Sequence, residues 1–197
     1  MTILEDRIEI KMADENATYL DQWFERFERM PVPEGYKVEI VGGNIFMTPQ
    51  RDIHWETIRH IIWALEDRFG RRARIFTDVR IDFPGPKNGF CPDVAKMREG
   101  AAKDDEGRWR YEDIEFVAEV ISKGTAHNDY GPKKTAYAVA EIPVYLIADP
   151  YQGRCYVYTE PKKGEYTCEL RVSYGTDVDM TTTPLRLTFK TAELPRD

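Results

Sequence analysis

Phe90-Cys91-Pro92-Asp93, followed downstream by Ile114-Glu115-Phe116-Val117-Ala118-Glu119-Val120, is the stretch on which the reading of this chain turns. Each run sets one acidic side chain at or near the end of an apolar, strand-like segment. A carboxylate beside hydrophobic strand residues is costly to bury unless something positive neutralises it. Strand alternation puts Val117, Glu119 and Ile121 on one face and Phe116, Ala118 and Val120 on the other. Both faces are otherwise apolar, so Glu119 is either an end-of-strand charge paired with a base, or a group with chemistry to do. Asp93 opens a strand after Pro92 and reads equally as a turn aspartate. Lys133-Lys134 follows in a helical segment. Two acids and a lysine together point to a divalent-cation site for phosphodiester chemistry.

The residues beyond this core give a mixed order of elements. Val144-Tyr145-Leu146-Ile147-Ala148 is a near-continuous apolar run, expected for a strand covered on both faces. Pro132 to Ala140 reads as a helix with proline in its first turn, and Gly124 to Gly131 as a polar loop. Upstream, Tyr36–Ile40 and Ile45–Met47 form a hairpin about Gly42-Gly43-Asn44. A helix follows from near His54, with Asp52 as its cap, Ile58, Ile61, Ile62, Leu65 and Phe69 as its buried stripe, and Gly70 as its end. Ala73 to Phe83 reads as one strand, and Pro84 to Gly89 as a loop. Arg98 to Tyr111 is polar and reads as a surface excursion.

At the N-terminus, Leu20, Trp23, Phe24 and Phe27 predict a helix over about 14–30, started by Asp14 or Asn16 and broken by Pro31 to Gly35. Its aromatic stripe is a core or homodimer contact. Past Asp149-Pro150 come further strands at Cys155–Thr159, Tyr166–Val172 and Leu185–Phe189. The expectation is one α/β domain spanning 1–197, with its core at about 33–158 and antiparallel strands at about 155–190.

Composition narrows the function classes. Charged residues are 32% and hydrophobic ones 42% of the 197, ordinary for a globular chain. No apolar run approaches the ~20 residues of a membrane span. The first 17 residues lack a signal-peptide pattern, which points to the cytoplasm. Three cysteines without a CxxC pair, and three scattered histidines, argue against a disulfide framework or a zinc site. Cys91 reads as a buried hydrophobe, and Cys155 and Cys168 could face each other across a hairpin. The net charge of −7 disfavours a tight free-standing nucleic-acid binder, but not an enzyme with a local basic wall. Arg51, Arg59, Lys87, Lys123 and Lys134 are candidates for such a wall. Arg68, Arg71, Arg72 and Arg74 read as a solvated helix end.

Several motifs occur together in order: Val38-Glu39-Ile40-Val41-Gly42-Gly43; Met47-Thr48-Pro49 with His54; Glu119-Val120-Ile121-Ser122-Lys123-Gly124-Thr125; Asp129, Lys133 and Tyr137; and Ile142-Pro143-Val144-Tyr145-Leu146-Ile147-Ala148-Asp149-Pro150. From about Pro33 to Tyr158 the chain resembles the Uma-type restriction endonuclease family of the Pro-Asp…(Asp/Glu)-x-Lys nuclease superfamily. The resemblance implies a restriction-endonuclease-like core with a mixed central sheet flanked by helices. It implies Mg²⁺ or Mn²⁺ on Asp93 and Glu119, with Glu39 as a further acid and Lys133 as the catalytic lysine. It also implies a nucleic-acid substrate, DNA first. The chain departs from the superfamily at Ile121, where the lysine usually stands, so the lysine comes from the next helix. Helical spacing sets Lys133 and Tyr137 on one face and Lys134 and Ala138 on another, which favours Lys133. Lys123 stands where the family has proline, close enough to contact phosphate. Asp129 either holds Lys133 or caps the helix, and His54 either touches substrate or packs. The competing expectation is a catalytically inactive, dimeric binding module on the same fold.

Overall fold

The computed structural model describes residues 2–29 and 35–197, and the backbone alone for 2–14. In chain order the elements are α1 (Thr2–Arg29), β1 (Tyr36–Val41), β2 (Asn44–Pro49), α2 (Asp52–Phe69), β3 (Ile75–Phe76), β4 (Ile81–Phe83), β5 (Asn88–Phe90) and β6 (Val94–Met97). Then come a 3₁₀ turn at Tyr111–Asp113, β7 (Ile114–Val120), α3 (Ala126–Tyr130), α4 (Pro132–Val139), β8 (Val144–Asp149), β9 (Arg154–Lys162), β10 (Glu165–Ser173), β11 (Val178–Met180) and β12 (Leu187–Phe189).

Six strands form a mixed sheet in the order β10-β9-β8-β7-β6-β3. Only β7 and β8 run parallel; they are joined through α3 and α4, the kind of crossover a parallel pair needs. All six residues of β8 are buried, as its unbroken apolar run requires at the centre of a covered sheet. One face of the sheet packs Phe116, Ala118 and Val120 against Ile58, Ile61 and Leu65 of α2 and the β11–β12 hairpin. The other face packs Val117, Ile121, Tyr145 and Ile147 against Ala136 and Tyr137 of α4 and against Val41, Phe83 and Phe90. Those last three belong to a second, antiparallel sheet, β2-β1-β5-β4. The expected alternation along β7 is therefore what divides the two cores.

The hairpin turn falls at Gly42 and Gly43, whose φ values of 57° and 80° suit a tight two-residue connection. Gly89 is required for packing. A Cβ there would stand 2.8 Å from the Phe24 ring, so its absence lets α1 seat on β5. Among the described residues no helix is long and apolar enough to cross a membrane.

Several local expectations are corrected. Asp14 and Asn16 lie inside α1, which begins at Thr2; the break proposed at Pro31 lies outside the described residues. Trp23, Phe24 and Phe27 are half-buried and pack on one another, and Phe24 also lies against Gly89 and beneath the Arg80 guanidinium. Asp52 is the first helical residue of α2, and extended Arg51 holds the cap position without a side-chain bond. Ala73 to Phe83 is split between β3 and β4, which belong to different sheets. Asn88 and Gly89, at the end of the expected loop, join Phe90 in a strand, and residues 126–130 form a short helix. Cys168 pairs in register with Thr159, and Cys155 with Val172, so the two thiols do not face each other.

Candidate active site

Six segments of the chain bring ionisable groups to one buried point between the two sheets. On β1, the two-residue period puts Lys37 and Glu39 on the face that carries Val41 into the core. Asp93 directly precedes β6, and its strand neighbour β7 carries Glu119 on the face of Val117 and Ile121. α4 presents Lys133 and Tyr137 one turn apart, and α3 adds Asp129 four residues before Lys133. His54 comes from the first turn of α2. All of these side chains are buried.

In each of Asp93, Glu119 and Glu39 one oxygen carries the stronger anchoring contacts and the other faces the Lys37 ammonium. Asp93 Oδ2 accepts the Val120 amide at 2.7 Å and lies 3.0 Å from His54 Nε2. Its Oδ1 is 2.6 Å from the Lys37 ammonium. Glu119 Oε1 accepts the Tyr137 hydroxyl at 2.6 Å and sits 2.6 Å from Lys133 Nζ. Its Oε2 accepts the Asp93 amide at 3.4 Å and faces Lys37 Nζ at 3.6 Å. Glu39 accepts the Cys91 amide at 2.9 Å on Oε1, while its Oε2 accepts from Lys133 Nζ at 3.2 Å and stands 3.9 Å from the Lys37 ammonium. Lys133 Nζ is held more tightly, at 2.6 Å from Glu119 and 3.1 Å from both Glu39 and Asp129.

Four carboxylates thus surround two ammonium groups. Burial opposes the charge of Lys37, yet Asp93, Glu39 and Glu119 outweigh it and hold the ammonium well above the ordinary lysine range. Lys133 behaves alike under Asp129, Glu119 and Glu39. Burial would raise Asp93, but Lys37 and His54 keep its carboxyl well below the usual range. Glu119 goes the other way. Burial, reinforced by the Asp93 and Asp129 charges and only partly countered by the lysines, pushes it up to about 8. Burial raises Asp129 as well. The excess of acid over base is therefore met by holding protons on the Glu119 side of the cluster.

Hard carboxylate oxygens around one cationic centre are the donor type that Mg²⁺ and Mn²⁺ take, so the residues fit such an ion in chemistry. Among the described residues no three His, Cys, Asp or Glu side chains are gathered to hold a metal ion as they stand. The three carboxylates are spread about an ammonium instead.

The sequence matches the model of the Uma2 family, described as "Putative restriction endonuclease", over residues 24–188. The chain belongs to this family. A solved structure described as "a putative nuclease belonging to DUF820", from Anabaena variabilis ATCC 29413, superposes with a TM-score of 0.60. It shares 15% identity over 80% of this chain and 88% of its own, a likeness of fold. No curated protein matches the sequence.

Against that Uma2 framework the sequence expectations sort clearly. Asp93, Glu119, Glu39, Lys133, Asp129, Tyr137 and His54 all converge. Asp129 pairs with Lys133, and His54 contacts Asp93. Lys123 and Lys134 do not reach the cluster: their ammonium groups lie over the Tyr151 and Tyr158 rings, at 6.0 and 4.7 Å. The helical face of Lys133, not that of Lys134, turns inward. Two members were missed. Lys37 is the period-2 partner of Glu39, and that spacing was the available signal. Asp78, whose left-handed backbone (φ 55°) is fixed by its amide on the Pro92 carbonyl, lies in the field of Lys37, Asp93 and Glu39. Asp78 is itself exposed, at the rim of the cluster, and partial desolvation there pushes its carboxyl up to about 6.

Proposed function

We propose that this protein is a metal-dependent nuclease that hydrolyses phosphodiester bonds in DNA, with Asp93 and Glu119, joined by Glu39, holding Mg²⁺ or Mn²⁺. The observation that carries the reading is the convergence of Asp93 Oδ1, Glu119 Oε2 and Glu39 Oε2 on one cationic centre, at 2.6, 3.6 and 3.9 Å. When bound there, the ion supplies a more acidic water and charge relief at the phosphoryl oxygens.

The chain's own residues do the positioning. Val120 and His54 hold Asp93 Oδ2 and so aim Oδ1 inward. Tyr137 does the same for Glu119 by fixing Oε1. Lys133, anchored by Asp129, places a permanent positive charge beside Glu119, where it can offset charge developing on a phosphoryl group. The buried face of the site excludes bulk water and strengthens each of these interactions.

The test is cleavage of supercoiled plasmid, linear duplex DNA and single-stranded RNA in Mg²⁺ or Mn²⁺, with a chelator control. Asp93→Asn and Glu119→Gln should lose cleavage while keeping the fold by circular dichroism. Equal cleavage by wild type and variants removes the proposal. RNA cut in preference to DNA changes the substrate. One observation favours a second reading, an inactive nuclease-fold binding module: both lysines are fully engaged in ion pairs, and Ile121 is buried at the usual lysine position. A folded protein that gives no heat on titration with Mn²⁺ would select that reading.

A further inference from the structure

We infer that the Lys37 ammonium is a built-in occupant of the cation position, and that a divalent ion enters only as Lys37 swings out. This inference rests on the metal-site reading of the carboxylate cluster.

The oxygens that would bind the ion are the ones Lys37 now faces: Asp93 Oδ1 at 2.6 Å, Glu119 Oε2 at 3.6 Å and Glu39 Oε2 at 3.9 Å. A hard divalent ion sits about 2.0–2.6 Å from each of its oxygen ligands. An ion bonded to Asp93 Oδ1 would stand within about 5 Å of the Lys37 ammonium, which lies 2.6 Å from the same oxygen. Two cations at such a separation in a buried site repel strongly, so the arrangement is one of exchange and not of coexistence.

The two lysines differ in how they are held. Lys133 has three carboxylates within 3.1 Å, one of them four residues earlier on α3, and is 1% exposed. Lys37 has one close partner, Asp93, and two beyond 3.5 Å. Its four-carbon stem rises from β1 and carries a flexible point charge. It is the member of the pair that can leave without breaking a cage. In its present place it neutralises part of the acid excess, so the metal-free fold does not bear an open cluster of buried carboxylates.

Two measurements on the full chain test the inference. The first is calorimetric titration of Mn²⁺ into wild type, Lys37→Met and Lys37→Gln. The second is acetic anhydride labelling of wild-type Lys37, read by mass spectrometry with and without saturating Mn²⁺. The expected results are affinity raised about tenfold or more in both variants and labelling of Lys37 increased severalfold by Mn²⁺. Equal affinity in all three proteins with unchanged labelling overturns the inference and leaves the metal site standing. Tighter binding in the variants without any rise in labelling means repulsion through space only, and also overturns it. No binding by any of the proteins overturns it together with the metal reading. If a variant fails to fold, the wild-type labelling decides alone.

Discussion

Replacing Lys133 by methionine removes an ammonium that is 1% exposed and touches Glu39, Glu119 and Asp129 at 3.1 Å or less. Methionine keeps most of the volume, so the change is chiefly electrostatic. Removing one partner of a buried ion pair costs about 3–5 kcal/mol, because the orphaned charge stays buried. Here the orphans have an escape. Glu119 already keeps a proton at this pH, and Asp129, which burial also raises, can take one up. That relief puts the expected loss at pH 7 near the lower bound, about 3 kcal/mol. For a chain of this size it corresponds to a fall of roughly 6–12 °C in melting temperature. At pH 5 protonation is easier, and the loss should shrink to roughly half or less. Urea unfolding followed by circular dichroism at the two pH values, in chelator, measures both quantities. The double variant Lys133→Met/Glu119→Gln should lose less than the two single losses together, since the residues act as one unit. A loss under about 1 kcal/mol at pH 7, or a larger loss at pH 5 than at pH 7, would refute the picture of Lys133 as the cation that balances this side of the cluster.

The same groups set the pH dependence of the metal-free fold. Glu119 titrates at about 8 in the fold against an ordinary value of 4.5, so the native state keeps a proton the unfolded chain gives up. Its contribution is complete below about 4.5 and is lost as pH rises through 8. Asp93 is depressed below its ordinary 3.8, so its contribution is present above that value and lost in acid. Metal-free stability should therefore be greater at pH 5 than at pH 8, and a melting temperature higher at pH 8 contradicts the assignment. Tyr137→Phe deletes the 2.6 Å bond to Glu119 and should cost about 1.5–3 kcal/mol in urea unfolding; a cost below 0.5, by the same rough scale, denies that the bond is formed. His54→Gln loosens Asp93 Oδ2 and should lower Mn²⁺ affinity or cleavage by about 10–100-fold; unaltered affinity and cleavage would return His54 to a packing role.

Much of the site was legible because it is written in local periods. Alternation along β7 correctly set Glu119 with Val117 and Ile121, and the i, i+4 spacing correctly chose Lys133 with Tyr137 over Lys134. The unbroken apolar run of β8 announced the centre of the sheet. Elsewhere local signals were outvoted. Ala73 to Phe83 reads as one strand, but its two ends pair with different partners, β6 and β5. Strand pairing is a long-range choice that apolar content alone does not express. Lys123 is close to Glu119 in sequence, yet its side chain leaves toward Tyr151.

Lys37 marks the boundary between the two kinds of information. A lysine at the start of a hairpin strand is, by residue type alone, a surface charge. Only the docking of β1 against Asp93, 56 residues away, turns it into a buried counter-ion. Sequence by itself determined which side chains share a face of each strand or helix, because backbone geometry repeats every two or 3.6 residues. Tertiary structure alone decided which faces meet, and hence which carboxylates share a cation, because that depends on packing between segments remote along the chain.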